Sequence, residues 1–137
     1  MRVRDIMTAH PITVDPETPM LEARQWMVQK RIRHLIVVEN ARVVGIVTDR
    51  DIRLNLPSPA TSLSVWELNY LLAQLTVGGV MSATVLVVDP DRPVADAARI
   101  MMEHKIGALP VVDEGRLIGI VTESDFVRAM AGLVPVA

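Results

Sequence analysis

Two β-branched runs, Leu35 to Val38 and Val43 to Val47, are separated only by the polar stretch Glu39-Asn40-Ala41-Arg42. A connection that short predicts a β-hairpin. Upstream, Ile12 and Val14 alternate within Pro11 to Asp15, which predicts a short strand ending at the Asp15-Pro16 turn. Between them Met20, Ala23, Trp26 and Met27 recur at helical spacing. Thr18 is expected to cap this helix and Pro19 to fill its first position, where a missing N–H costs nothing. After the hairpin, Thr48-Asp49-Arg50-Asp51 opens another helix. The order strand, helix, strand, strand, helix predicts a right-handed crossover followed by a hairpin, hence a mixed sheet with helices against one face.

The same pattern returns later in the chain. Leu86 to Val88, a helix from Pro93 to about His104, Leu109 to Val112, Leu117 to Val121 and a last helix from about Glu123 repeat the plan. Aligned without gaps, Val3 to Ile52 against Val77 to Phe126 gives nineteen identities in fifty positions. Gly45-Ile46-Val47-Thr48-Asp49-Arg50-Asp51 thereby meets Gly119-Ile120-Val121-Thr122-Glu123-Ser124-Asp125. The chain is a tandem repeat. Each copy is too small to bury its sheet alone, so the two are expected to pack about a pseudo-twofold axis around one core. The fold class is α/β with mixed α+β sheets, and the expected boundaries are 1–57, a helical linker at 58–76, and 77–137.

In the linker, Leu56-Pro57-Ser58-Pro59 stops the preceding helix. Ser64-Val65-Trp66-Glu67 is a capping box, and Leu68, Leu71, Leu72 and Leu75 follow at helical spacing. Such a stripe packs either on its own half-domains or at a subunit interface, and Trp66 with Tyr70 supplies the side chains interfaces favour. Gly78-Gly79 is expected to free the chain to enter the second copy.

Fourteen basic and sixteen acidic residues leave a net charge of −2, and four aromatics offer little for base stacking. Both argue against a nucleic-acid partner. Half the residues are hydrophobic, yet no run nears the roughly 20 apolar residues of a membrane span, so no direct membrane insertion is expected. The N-terminus does not lead into a signal-peptide core, and the lack of cysteine agrees with a reducing, cytoplasmic setting.

With its two register-matched G-I-V-T-x-x-D segments, its Pro19 and Pro93 helices and its Leu35 to Val38 and Leu109 to Val112 strands, the chain resembles a pair of cystathionine β-synthase (CBS) domains. This tandem arrangement is called a Bateman module. The resemblance implies a regulatory module that senses adenosine-containing ligands, namely AMP, ADP, ATP or S-adenosylmethionine, in clefts between the half-domains. It also implies a homodimer and an effector protein of unknown identity. Val134-Pro135-Val136-Ala137 leaves no room for an output domain, so the target is expected on another protein or in a part of a parent chain. The alternative is a structural oligomerisation module of a larger channel, transporter or enzyme assembly.

The residues carry a chemistry of their own. A ribose presents two adjacent hydroxyls that one carboxylate accepts from, which suits Asp51 and Asp125. A phosphate is drawn to hydroxyl and N–H donors at a helix N-terminus, where Thr48 and Thr122 stand. Adenine needs an apolar slot edged by backbone groups, as Ile12, Thr13 and Val14, Leu35 to Val37, and Leu109, Pro110 and Val111 would provide. The competing reading is that T-x-x-D merely caps its helix. The copies also differ: Arg33-His34 correspond to Gly107-Ala108, Arg50 to Ser124, and Ile36 to Pro110, the residue common in the family. The arginines are either phosphate partners or solvated charges, and His104 and Lys105 could serve either site. Asp49 with Asp51, and Glu123 with Asp125, diverge at i, i+2 instead of converging as acid and base. His10, His34 and His104 lack the local spacing of metal ligands, and there is no cysteine nucleophile. No catalytic or metal site is expected.

Overall fold

The computed structural model describes residues 1–133. The final tetrapeptide, on which the expectation of an external target rested, lies outside the described residues. The chain divides into two units, Ile12–Val85 and Met1–Pro11 together with the residues from Leu86 onward.

In the 12–85 unit, β2 (Thr13–Val14), α2 (Met20–Lys30), β3 (His34–Glu39), β4 (Arg42–Thr48) and α3 (Asp49–Leu54) follow the predicted order. β2 lies parallel to β3, as the crossover through α2 requires, and β3 and β4 form the antiparallel hairpin. α4 (Val65–Gln74) and α5 (Val77–Val80) complete the unit. A bridge between Ser82 and Ile46 adds a lane on the far side of β4.

The other unit begins with α1 (Val3–Ile6) and β1 (Thr8–Ala9), then jumps to α6 (Val94–His104), β5 (Ala108–Asp113), β6 (Arg116–Thr122) and α7 (Glu123–Met130). Its sheet runs β1-β6-β5, with all pairs antiparallel. Thr8 pairs with Ile120, the repeat equivalent of the Ser82–Ile46 bridge. The leading strips of the two repeats are therefore exchanged: residues 1–11 complete the second repeat's sheet, and the strip after residue 76 completes the first's.

Within each unit most buried residues gather in one cluster, while Ile36, Ala108 and Ile120 are buried outside both. Val3 and Ile6 enter the cluster of Val88, Ala97, Met101, Leu109, Val111 and Val121, while Val77 joins Met20, Ala23, Met27, Leu35, Val37, Val47 and Ile52. Each repeat unit receives apolar residues from the other repeat's strip, so each sheet has its own cover. Gly45 and Gly119 make room for the strips: a Cβ on Gly45 would run into Met81 Sδ, and one on Gly119 would stand 2.6 Å from Met7 Sδ. The N-terminal strip is further pinned by Val3 N to Arg92 O (2.8 Å), Arg4 N to Pro90 O (2.8 Å), and the Arg4 Nε–Asp91 Oδ1 ion pair at 2.8 Å. The hydrogen bond from Arg4 holds the Asp91 carboxyl below the usual carboxylate range, and the same bond raises the Arg4 guanidinium.

Four local expectations change. Thr18 does not cap α2; its hydroxyl accepts from Asp15 N (3.2 Å) within the preceding turn, and Pro19 is itself the N-cap with ψ 136°. Gly78 does not release the chain. It sits inside α5, where the chain passes so close to Pro16 that a Cβ would stand 3.0 Å from Pro16 O. The strand expected at Leu86 to Val88 shrinks to a single parallel bridge, Val88 with Val111. A rung at Val87 would need an N–H from Pro110, which proline lacks; Ile36 at the equivalent place pairs with Thr13 in β2. The linker helix keeps its capping box, with Glu67 N donating to Ser64 Oγ at 3.2 Å. Its stripe is split: Leu72 and Leu75 pack on the core of the 12–85 unit, whereas Trp66 is 86% exposed and Tyr70 67%. Among the described residues no helix is long and apolar enough to cross a membrane.

Candidate functional site

β4 ends at Thr48 in extended conformation, and α3 begins at the next residue. The cap is reciprocal. Asp51 N donates to Thr48 Oγ1 at 3.1 Å, and Thr48 N donates to Asp51 Oδ2 at 2.9 Å. This ties two backbone donors at the helix start, and it leaves the hydroxyl and carboxylate side by side. Asp49 N donates to Arg33 O at 3.0 Å, which anchors the segment leading into β3 beside the cap. His34 stands opposite Thr48 in the β3–β4 register. Arg33, His34, Thr48, Arg50 and Asp51 are thus gathered at one end of the hairpin, with both arginines exposed and Asp51 half-buried. Oδ2 of Asp51 has its helix donor; among the described residues no hydrogen bond reaches Oδ1.

The apolar candidates lie elsewhere in the same unit. Leu35, Ile36 and Val37 are fully buried in the central strand. Ile12, Thr13 and Val14 line an open groove at the β2 edge with Asp15, Glu22, Trp26 and Lys30. Lys30 Nζ stands 6.0 Å from the Trp26 ring centroid, a cation–π distance. Neither Thr48 nor Asp51 reaches this groove.

The second motif is built on the same turn but is wired differently. Thr122 N donates to Asp125 Oδ2 at 2.8 Å, and the Thr122 hydroxyl donates to the same oxygen at 3.3 Å. The other oxygen, Oδ1, accepts from the Thr8 hydroxyl at 3.1 Å and lies 3.7 Å from Arg128 Nη1. The Asp125 side chain is 1% exposed. Ser124 is exposed, while Leu109, Pro110 and Val111 are buried. Sequence reasoning missed Thr8 and Arg128. Arg128 carried a signal, being one helical turn after Asp125, but Thr8 sits in a strip with no periodicity to place it.

The CBS domain family matches residues 3–58 and again 77–132. The CBS domain-containing protein YhcV of Bacillus subtilis is 33% identical over 123 residues, covering 90% of this chain and 81% of its own. Some relatives are far longer; the chain is 32% identical to, and spans 23% of, an L-aspartate semialdehyde sulfurtransferase from Methanocaldococcus jannaschii. Among solved structures, the CBS domain pair of protein MJ0100 in complex with 5′-methylthioadenosine and S-adenosyl-L-methionine superposes with a TM-score of 0.78 at 30% identity. It covers 96% of this chain and 97% of that one. CBSX2 in complex with AMP gives 0.77 at 34% identity, covering 96% of each chain. The chain belongs to the CBS domain family, as a tandem pair, and is similar to members that bind adenosine-containing ligands.

Proposed function

We propose that the chain is a cytoplasmic regulatory module that binds an adenosine-containing ligand, AMP, ADP, ATP or S-adenosylmethionine, and passes its presence to a partner protein without turning it over. A homodimer is part of the same reading. The observation that carries it is the Asp51 carboxylate, whose Oδ1 no hydrogen bond reaches among the described residues, beside two exposed arginines, in a chain aligned over nearly its whole length with pairs solved with AMP and S-adenosylmethionine. A Thr-x-x-Asp carboxylate takes the ribose hydroxyls, and the Thr48 hydroxyl, which accepts in the cap and keeps its own proton to donate, takes phosphate. In the first repeat Arg33 and Arg50 add positive charge there, which favours phosphate-rich ligands. The ligand regulates by binding two conformations of the assembly unequally.

A thermal-shift and calorimetric screen with the four ligands tests the reading. A ligand at about 100 times its Kd raises stability by about 2.7 kcal/mol, and Asp51→Ala weakens binding. Absence of a shift with all four overturns it. The second reading, a structural oligomerisation module, is favoured by exposed Trp66 and Tyr70 on α4. It expects no ligand shift, and dissociation of the assembly by Trp66→Ala with Tyr70→Ala.

A further inference from the structure

The two Thr-x-x-Asp motifs are alike in sequence and unlike in their hydrogen bonding. Asp125 spends both carboxylate oxygens inside its own unit, on Thr122, Thr8 and Arg128. A carboxylate that accepts three hydrogen bonds, faces an arginine and is shielded from water has little capacity for two further hydroxyls; a ribose there would first break the hydrogen bond to Thr8 and part the ion pair to Arg128. The repeat equivalents of those two partners do not make the same bonds. Ser82, in the place of Thr8, donates to Thr84 O at 3.4 Å within its own loop. Leu54, in the place of Arg128, has no charge to offer and is 72% exposed. Asp51 is consequently left half-buried, and among the described residues no hydrogen bond reaches its Oδ1.

We infer that the motifs have divided their roles: Asp51 carries the ligand, and Asp125 is a latch that fastens the exchanged N-terminal strip, through Thr8, to the start of α7. The inference deepens the proposed function and rests on it for its ligand half. The chain accordingly takes one adenosine ligand, held by the first motif. The latch makes the second motif structural, and its capping pattern is put to use across 117 residues of sequence.

Titration calorimetry with AMP and with S-adenosylmethionine on the full chain, together with hydrogen exchange on the strip, separates the parts. The expected stoichiometry is one ligand per chain. Asp51→Asn, which keeps an acceptor for Thr48 N, weakens that binding at least about tenfold, the scale of a lost charge-assisted hydrogen bond. Thr8→Val leaves the stoichiometry at one and lowers hydrogen-exchange protection of the strip amides of Val3, Arg4 and Met7. Two ligands per chain, or an undiminished binding event in Asp51→Asn, overturns the assignment of the ligand to the first motif. Unchanged protection in Thr8→Val overturns the latch. If the unmodified chain binds neither probe, the proposed function and the ligand half fall together, while the exchange measurement still decides the latch.

Discussion

Ala41 occupies the second position of the β3–β4 turn with φ 63°, next to Asn40 at φ 51°. Both values belong to a type I′ turn, whose twist matches the hairpin but suits glycine far better than alanine. The second repeat resolves the same geometry with Gly115 at φ 79°. Ala41→Gly is expected to raise stability by about 0.5–1 kcal/mol, because relief of left-handed strain outweighs the extra entropy of the unfolded chain. A thermal melt would register a rise in Tm of a few degrees, and a fall would show that Ala41 is unstrained. At this scale the sequence was largely legible. A hairpin was plain from two β-branched runs, and T-x-x-D announced both caps. Hidden from it was the use of each carboxylate's second oxygen, since that depends on Thr8 and Arg128 against Ser82 and Leu54, pairs that no local pattern links to the motif.

Among elements, the N-terminal strip is the one whose attachment is most exposed to conditions. Its ion pair to Asp91 lies on the surface, with side chains 46% and 60% exposed, so it contributes modestly and is screened by salt. Asp91 has a depressed folded value, so its contribution is complete above the ordinary carboxylate pKa of about 3.9 and is lost as pH falls through the depressed value. Arg4 stays protonated throughout. Protection factors of the Val3 and Arg4 amides are therefore expected to hold from neutral pH down to about 4 and to drop below it. Asp91→Asn is expected to give the same loosening at neutral pH; equal protection in the variant would show that backbone bonds alone secure the strip. The short lane at Val88 makes a related point. Periodicity predicts strand equally for Thr13-Val14 and Val87-Val88, and only the donor missing from Pro110 distinguishes them.

At the scale of the molecule, the sequence repeat and the packing units have different borders. The repeat was readable because identities line up without a gap. The exchange of strips was not, because a strip of one turn and two strand residues carries the same pattern whichever sheet it joins. The units, and not the repeat, should behave as folding fragments. A fragment of residues 12–85 retains Val77, Leu75 and Met81 with its cluster and is expected to unfold cooperatively, though marginally for its size. A fragment of residues 1–57 lacks those residues and carries Val3 and Ile6 with nothing to bury them; it is expected to show no cooperative melt by circular dichroism. The reverse result would mean that the strips are dispensable.

The traded strips also set an order of events during synthesis. The 12–85 unit is continuous in the chain, so every part of it has been translated before the second repeat's sheet exists. Residues 1–11, made before that unit, find their place after it. Thr8 meets Asp125 only after 117 further residues have been added, roughly 6–23 s at ordinary ribosomal speed. Until Val88 to Val121 have followed, Val3 and Ile6 lack the residues they are buried among, which makes this strip a segment a chaperone would meet.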